Sequence, residues 1–165
     1  MMTSSPLTTF VLIHVVLSLV GILAGLIVLR AMIAGRDLGY LTDLFLATTA
    51  LTSLTGFCFF PYDGFTPGQV FGIISTILLV LAYYGRYGQR YAGKWLMTYT
   101  ITATAALYLN CFVLIVQSFG KIPFLKEMGP NPPAFIVAQV ILFVVFVICG
   151  VLAVKRFRPI VKLCP

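Results

Sequence analysis

Five long apolar segments take up most of this 165-residue chain and are separated by short linkers. They extend over residues 9–29, 40–60, 68–85, 95–119 and 134–154. A helix needs roughly 17–25 apolar residues to cross a bilayer, whereas the strands of a membrane barrel would be segments of about ten residues with alternating polarity. The sequence therefore predicts an all-α fold: a single transmembrane domain over residues 1–165, built as a bundle of five membrane-spanning helices.

The lysines and arginines are distributed unevenly between the linkers. Nine of the eleven fall on one side of the predicted bundle: Arg30, Arg36, Arg86, Arg90, Lys94, Lys155, Arg156, Arg158 and Lys162. The other side has residues 1–8 and 61–67, which contain no Lys or Arg, and the loop Gly120–Pro133, which contains only Lys121 and Lys126. Cytoplasmic loops are enriched in Lys and Arg, so the amino terminus is expected outside and the carboxyl terminus in the cytoplasm, beside anionic lipids.

The composition agrees with a chain that is surrounded by lipid. Hydrophobic residues make up 61% of the sequence, charged residues 9%, and the mean hydropathy is +1.07, values outside the range of ordinary soluble domains. A net charge of +7 would suggest nucleic acid as the partner of a soluble protein. Here the cations flank membrane segments, so no nucleic-acid partner is expected, and the protein is predicted to be multi-pass.

Strong hydrogen-bonding side chains are rare in the apolar segments and gather in the half of the bundle that faces outward, given a rise of about 1.5 Å per residue. Polar groups inside a membrane are costly and are candidates for function. If the helix faces converge, the candidate ligand-binding residues are His14, Thr52, Thr55, Asn110, Gln117 and Gln139. The alternative is that they bond only to one another, since hydrogen bonds between membrane helices contribute about 0.6 kcal/mol on average.

Small residues at helical spacing predict close contacts between helices. Ser18, Gly21 and Gly25 lie on the same face of the first segment as His14, and Gly72 lies on a similar face of the third. Small side chains let neighbouring backbones approach within a membrane. We therefore assign these four small residues to helix packing.

Catalytic, metal and cofactor chemistry find little support in the sequence. There is one histidine in the whole chain, whereas an activated nucleophile needs a base and a group that orients that base. Asp43, at the start of the second segment, is predicted to pair with Arg86 or Arg90, and Asp37 and Glu127 are expected to be solvated loop charges. No cofactor, metal site or catalytic residue is assigned.

Four strings resemble segments that occur in the same order in an uncharacterised group of small bacterial integral membrane proteins. They are IHVVLSLVGILAGLIVL, LFLATTALTSLTGFCFFP, TATAALYLNCFVLIVQSFGKIP and the terminal VLAVKRFRP. The resemblance covers nearly the whole chain. It implies the bacterial cytoplasmic membrane as the location and no particular activity.

Two classes of function follow from these patterns. The favoured hypothesis is a non-enzymatic membrane accessory or scaffold subunit, whose small-residue faces pack against a second copy or another membrane protein. The alternative is a binder or conduit of a small neutral or amphiphilic molecule, quinone-like or lipid-like, at the outward polar cluster around His14. An intramembrane enzyme is a remote third hypothesis. A shared cavity for the polar residues would favour the binder, and a closed polar core would favour the scaffold.

Overall fold

The structure, a computed structural model, describes residues 6–57, 67–126 and 133–159. Every regular element in these ranges is a helix, which confirms the predicted all-α class. The helices are α1 (Pro6–Ile33), α2 (Tyr40–Phe57), α3 (Pro67–Tyr83), which continues as a π-helical turn (Tyr84–Gly88), α4 (Trp95–Lys121), α5 (Pro123–Lys126) and α6 (Pro133–Arg156).

Four helical segments of the described chain are long and apolar enough to cross a membrane: Thr9–Ile33, Gln69–Gly88, Trp95–Lys121 and Pro133–Arg156. They match four of the five predicted segments. The helix α2 is not among them, because its threonines and Asp43 lower its mean hydropathy and the last residues predicted for it, 58–60, lie outside the described ranges. The fold is thus consistent with a multi-pass membrane protein, while the fifth crossing stays a prediction.

One short element contradicts the sequence analysis. The segment after α4 was expected to be a loop over Gly120–Pro133, but Pro123–Lys126 forms the helix α5. Proline suits the first position of a helix, because its fixed φ is already helical and its missing amide proton has no partner to lose there. The remainder of the expected loop, including Glu127, lies outside the described residues.

Helix α4 is the centre of the bundle and is contacted by α1, α2, α3 and α6. Its inward face has small and medium-sized side chains, of which Ala103, Ala106 and Leu107 are fully buried. Around it, α1 packs beside α2 and α6, and α3 packs between α2 and α4. The outer surfaces of these helices carry Leu, Ile and Val side chains, as expected for surfaces that face lipid.

The face of α1 that contains Gly21 and Gly25 packs closely on α2. A Cβ atom added at Gly25 would lie 2.5 Å from Cδ1 of Leu107 and 2.9 Å from the ring of Phe45, and one added at Gly21 would lie 3.0 Å from Oγ1 of Thr48. These distances leave no room for a side chain at Gly25. Gly21 and Gly25 thus lie where α1 comes close to side chains of α2 and α4.

An arginine at the opposite end of the bundle from the amino terminus of α1 joins three segments. The guanidinium of Arg86, in the π-helical turn, donates to Asp37 Oδ2 at 2.8 Å and to Asp43 Oδ1 at 3.0 Å. It also donates to the carbonyl of Gly39 and the hydroxyl of Tyr91. Its side chain is only 9% exposed. The predicted pairing of Asp43 with Arg86 is confirmed.

Asp37 is exposed, as expected of a loop charge, but it is also paired, which the sequence did not predict. Its carboxylate accepts from the guanidinium of Arg86 and also from the hydroxyl of Thr42 at 3.0 Å and the amide of Gly39 at 3.2 Å. An aspartate that bonds to the amide two residues later forms a turn, and this turn brings the carboxylate back to the bundle. Burial raises the pKa of the Tyr91 phenol, which therefore stays protonated and donates to Asp37 at 3.3 Å.

Candidate functional site

A cavity of about 500 Å³ lies between α1, α2, α3 and α4, at the end of the bundle where α1 begins and α4 ends. Its lining combines polar and apolar side chains from all four helices. The polar lining residues are His14, Ser18, Thr52, Ser53, Gln69, Ser75, Asn110, Gln117, Ser118 and Lys121. The apolar lining residues are Val11, Val15, Leu19, Phe71, Leu109, Val113, Leu114 and Ile122. Cavities of about 300–1,000 Å³ with mostly apolar walls and a few polar groups are typical of small-molecule sites.

Four of the six residues predicted as ligand-binding line this one cavity. His14 comes from α1, Thr52 from α2, and Asn110 and Gln117 from α4. The two residues of α4 are seven positions apart, which is two helical turns, so they lie on the same face. The polar faces of three helices thus converge as the sequence analysis required.

Thr55 does not line the cavity, but it contacts a residue that does. The Oγ1 atom of Thr55 lies 2.8 Å from Nδ1 of His14, in a hydrogen bond between α1 and α2. The same hydroxyl donates to the carbonyl of Leu51 at 2.7 Å, so its oxygen is placed to accept the Nδ1 proton. Under that arrangement Thr55 orients the imidazole and selects the tautomer whose Nε2 is an acceptor.

Gln139 lies elsewhere. Its Nε2 donates to the carbonyl of Phe112 at 3.3 Å, in the interface between α4 and α6. The face of α4 that meets α6 also contains Phe119, whose ring is 5.4 Å from that of Phe135. That face is turned away from the one that carries Asn110, so Gln139 is not among the residues that line the cavity.

The hydroxyls of the α2 wall donate hydrogen bonds within the protein. Thr52 donates to the carbonyl of Thr48 at 2.8 Å, and Ser53 lies 3.1 Å from both the carbonyl of Thr49 and the hydroxyl of Ser75. A hydroxyl has one proton and two lone pairs, so one that donates to its own helix can still accept. This wall therefore offers mainly acceptors.

The α4 wall offers donors. Asn110 uses Nδ2 in a long bond of 3.4 Å to Oγ1 of Thr49, which leaves the second proton of that amide. Gln117 is exposed and lies two turns nearer the end of the helix. Lys121 follows one further turn along the same face. A ligand between the two walls would meet hydroxyl oxygens on α2 and, on α4, amide groups that can both donate and accept, followed by the ammonium of Lys121.

The cavity opens between α1 and α4. The aliphatic residues that line it and have substantial exposure are Val11 at 38%, Val15 at 40% and Leu19 at 42% on α1, with Leu114 at 37% on α4 and Ile122 at 46% just beyond it. Gln117 and Lys121, which also line the cavity, are exposed polar residues near the end of α4. In a bilayer this opening would face acyl chains rather than water.

The sequence analysis missed several lining residues. Ser18 and Gly72 were assigned to helix packing but line the cavity, and Lys121 was counted only as a loop charge. The signal for Lys121 was present, because it follows Gln117 by four residues and therefore shares its face. Among the residues that the structure describes, no three of His, Cys, Asp or Glu lie close enough together to hold a metal ion.

The fold and the cavity define a helical bundle that is consistent with a multi-pass membrane protein. Comparison with protein-family models, with curated proteins and with solved structures found no match.

Proposed function

We propose that this protein binds a small amphiphilic molecule in the cavity between α1, α2, α3 and α4, with the polar head of the ligand against the polar wall and its apolar part toward the opening between α1 and α4. The observation that supports this most is that His14, Asn110 and Gln117 line one cavity of about 500 Å³ rather than closing onto one another. A cavity of that size is appropriate for a ligand.

The alternative role, as an accessory or scaffold subunit, has less support from the geometry. It relied on small-residue faces that would be available to a second protein. Gly21 and Gly25 instead contact Thr48 and Phe45 of α2 within the bundle, and Gly72 lies at the cavity. The outer face of α6 has bulky Ile, Val and Phe side chains, which suit lipid better than the close approach of another helix.

We also propose that α2 crosses the membrane, so that the chain crosses five times with its amino terminus outside and its carboxyl terminus in the cytoplasm, as a multi-pass protein of the bacterial cytoplasmic membrane. Its 18 residues are about 27 Å long, close to the roughly 30 Å of a bilayer core. Thr48, Thr52 and Thr55 donate to carbonyls one turn back, which lowers the cost of placing their hydroxyls in lipid.

This topology predicts opposite labelling of two lysine positions. In a variant without native cysteines, Lys121→Cys should react with a membrane-impermeant maleimide in intact cells, because the carboxyl end of α4 is outside. Lys155→Cys, at the carboxyl end of α6, should react only after the cells are permeabilised. Both residues are exposed, so accessibility within the protein is matched. Labelling of both positions, or the reverse pattern, would exclude five crossings in this orientation.

Filling the cavity should remove the ligand. Leu114→Trp places a large ring in the opening between α1 and α4, whereas Val116→Trp, two residues away, enlarges a side chain that does not line the cavity. The two native residues are 37% and 39% exposed, so the substitutions are matched. Native mass spectrometry of protein extracted with its own lipids should show a bound small molecule in wild type and in Val116→Trp, and none in Leu114→Trp.

His14→Ala tests the polar wall. Loss of one hydrogen bond of about 1–1.5 kcal/mol should weaken binding about tenfold, with the thermal transition of the protein little changed because the imidazole is only partly buried. If wild type, Leu114→Trp and His14→Ala carry the same bound molecules in the same amounts, the cavity is not a ligand site.

A further inference from the structure

Lys121 is the one cation among the described residues that line the cavity. It is the last residue of α4, it is exposed, and it lines the mouth of the cavity. Gln117 lies one turn deeper and Asn110 about three turns deeper along the same side of the helix. The row of hydrogen-bonding side chains on α4 thus ends with the positively charged ammonium of Lys121.

No carboxylate is found among the described residues that line the cavity. Both ion pairs in the described part of the chain use Arg86, at the far end of the bundle. The ammonium of Lys121 therefore has no acidic partner within the described segments. A cation at the rim of a partly apolar cavity attracts an anion more strongly than the same cation would in bulk water, because the local dielectric constant is lower.

The cavity lining that leads away from Lys121 has about the length of one leaflet of a bilayer. Lining residues of α4 extend from Leu109 to Lys121, a rise of roughly 18 Å, and the aliphatic residues of α1 follow the same path from Val11 to Leu19. That length is close to half of the roughly 30 Å hydrocarbon thickness of a bilayer. The path therefore corresponds to one leaflet, with Lys121 at the level where lipid head groups begin.

We infer that the ligand is an anionic single-chain amphiphile, with a carboxylate or phosphate ester held by Lys121 and Gln117 and with its chain in the opening between α1 and α4. This inference depends on the proposed function and specifies its ligand class. The uncharged walls supply contact area and hydrogen bonds to any amphiphile. Lys121 supplies the preference for a negative head group.

Three probes of equal chain length test the inference: hexadecanoic acid, hexadecyl phosphate and hexadecanol. They are titrated into the protein in phosphatidylcholine nanodiscs, at an alkaline pH that keeps the carboxyl group ionised although the lipid surroundings raise its pKa, and binding is measured by native mass spectrometry. The acid and the phosphate should bind wild type about tenfold more tightly than the alcohol, a difference of about 1.4 kcal/mol. Raised salt should reduce that preference, because it screens the exposed charge.

Substitutions at Lys121 distinguish an effect of its charge on binding from an effect on the stability of the fold. Lys121→Gln should weaken both anionic probes about tenfold, to the level of the alcohol, and Lys121→Arg should retain the preference. Lys155→Gln, an equal loss of charge at the other end of the bundle, should change nothing. The thermal transition should be the same in all these variants, because both lysines are exposed.

The outcomes distinguish the ligand class from the function itself. If all three probes bind wild type equally and Lys121→Gln has no effect, the ligand head is uncharged and only this inference fails. If Leu114→Trp binds every probe as wild type does, the cavity is not the site and the proposed function fails. Binding of only the acid or only the phosphate supports the inference and identifies the head group.

Discussion

Replacing Arg86 by glutamine should lower the free energy of unfolding by about 2–4 kcal/mol, the largest loss expected from any single charge removal in this protein. The guanidinium is 9% exposed and contacts Asp37 and Asp43 together. Without it, the carboxylates of Asp37 and Asp43 would lie close together at the start of α2 with no cation between them. The value is below that for a fully buried pair because Asp43 is 48% exposed.

The measurement is the thermal or denaturant-induced unfolding of the protein in detergent micelles, followed by helical circular dichroism. Arg36→Gln is the matched control, because it removes the same group from the same end of the bundle at an exposed residue. Arg36→Gln should change the free energy of unfolding by no more than about 0.5 kcal/mol. Asp37→Asn should lower the free energy of unfolding more than Asp43→Asn does, since the side chain of Asp37 is 25% exposed and that of Asp43 is 48% exposed. Equal stability of Arg86→Gln and Arg36→Gln would show that the cluster does not hold the bundle together.

Adding one methyl group at Gly25 should destabilise the protein by about 1–3 kcal/mol, the usual cost of overpacking a filled core. The new Cβ would lie 2.5 Å from Leu107 and 2.9 Å from the ring of Phe45. Both neighbours are about 1% exposed, so neither can move into open space. The expected result is a separation of α1 from α2 and α4, and a lower unfolding transition.

Two other glycines provide a graded comparison for Gly25→Ala. A Cβ at Gly21 would meet Oγ1 of Thr48 at 3.0 Å, Oγ1 of Thr49 at 3.3 Å and Cβ of Thr48 at 3.6 Å, so Gly21→Ala should lower the free energy of unfolding by less than Gly25→Ala does. Gly120→Ala meets nothing within 4 Å and should be neutral or slightly stabilising, since alanine is the better helix former. The same unfolding assay ranks the three variants. An order in which Gly25→Ala is the most stable would contradict the close contact of α1 with its neighbours.

For two of the four small residues, Gly21 and Gly25, the spacing along one helix was enough to predict a close contact with neighbouring helices. The spacing of Gly21 and Gly25 places them on one face, and their lack of side chains makes that face suitable for close packing. Ser18 and Gly72 have the same chemistry and similar spacing, yet they line the cavity. The difference is decided by the neighbour: α2 contacts α1 tightly beside Gly21 and Gly25, and leaves a cavity beside Ser18.

The polar residues illustrate the same limit. His14, Thr52, Asn110 and Gln117 were predicted to lie in the same half of the bundle, and they line one cavity in the structure. Gln139 has a comparable depth, but α6 packs on another face of α4, where the amide bonds to the carbonyl of Phe112. Depth follows from counting residues along a helix. The direction of a side chain relative to other helices does not.

The sequence by itself predicted the five long helices, though not the short helix α5, because a long apolar run in lipid can satisfy its backbone only by forming its own hydrogen bonds. It also gave the position of each polar group along its helix and Arg86 or Arg90 as the partner of Asp43. Only the tertiary structure decided that Asp37 joins Arg86, that α4 lies at the centre, and that a cavity remains beside His14 with Lys121 at its mouth. Those features depend on how helices meet, and contacts between side chains distant in sequence are set by packing rather than by the periodicity of any one segment.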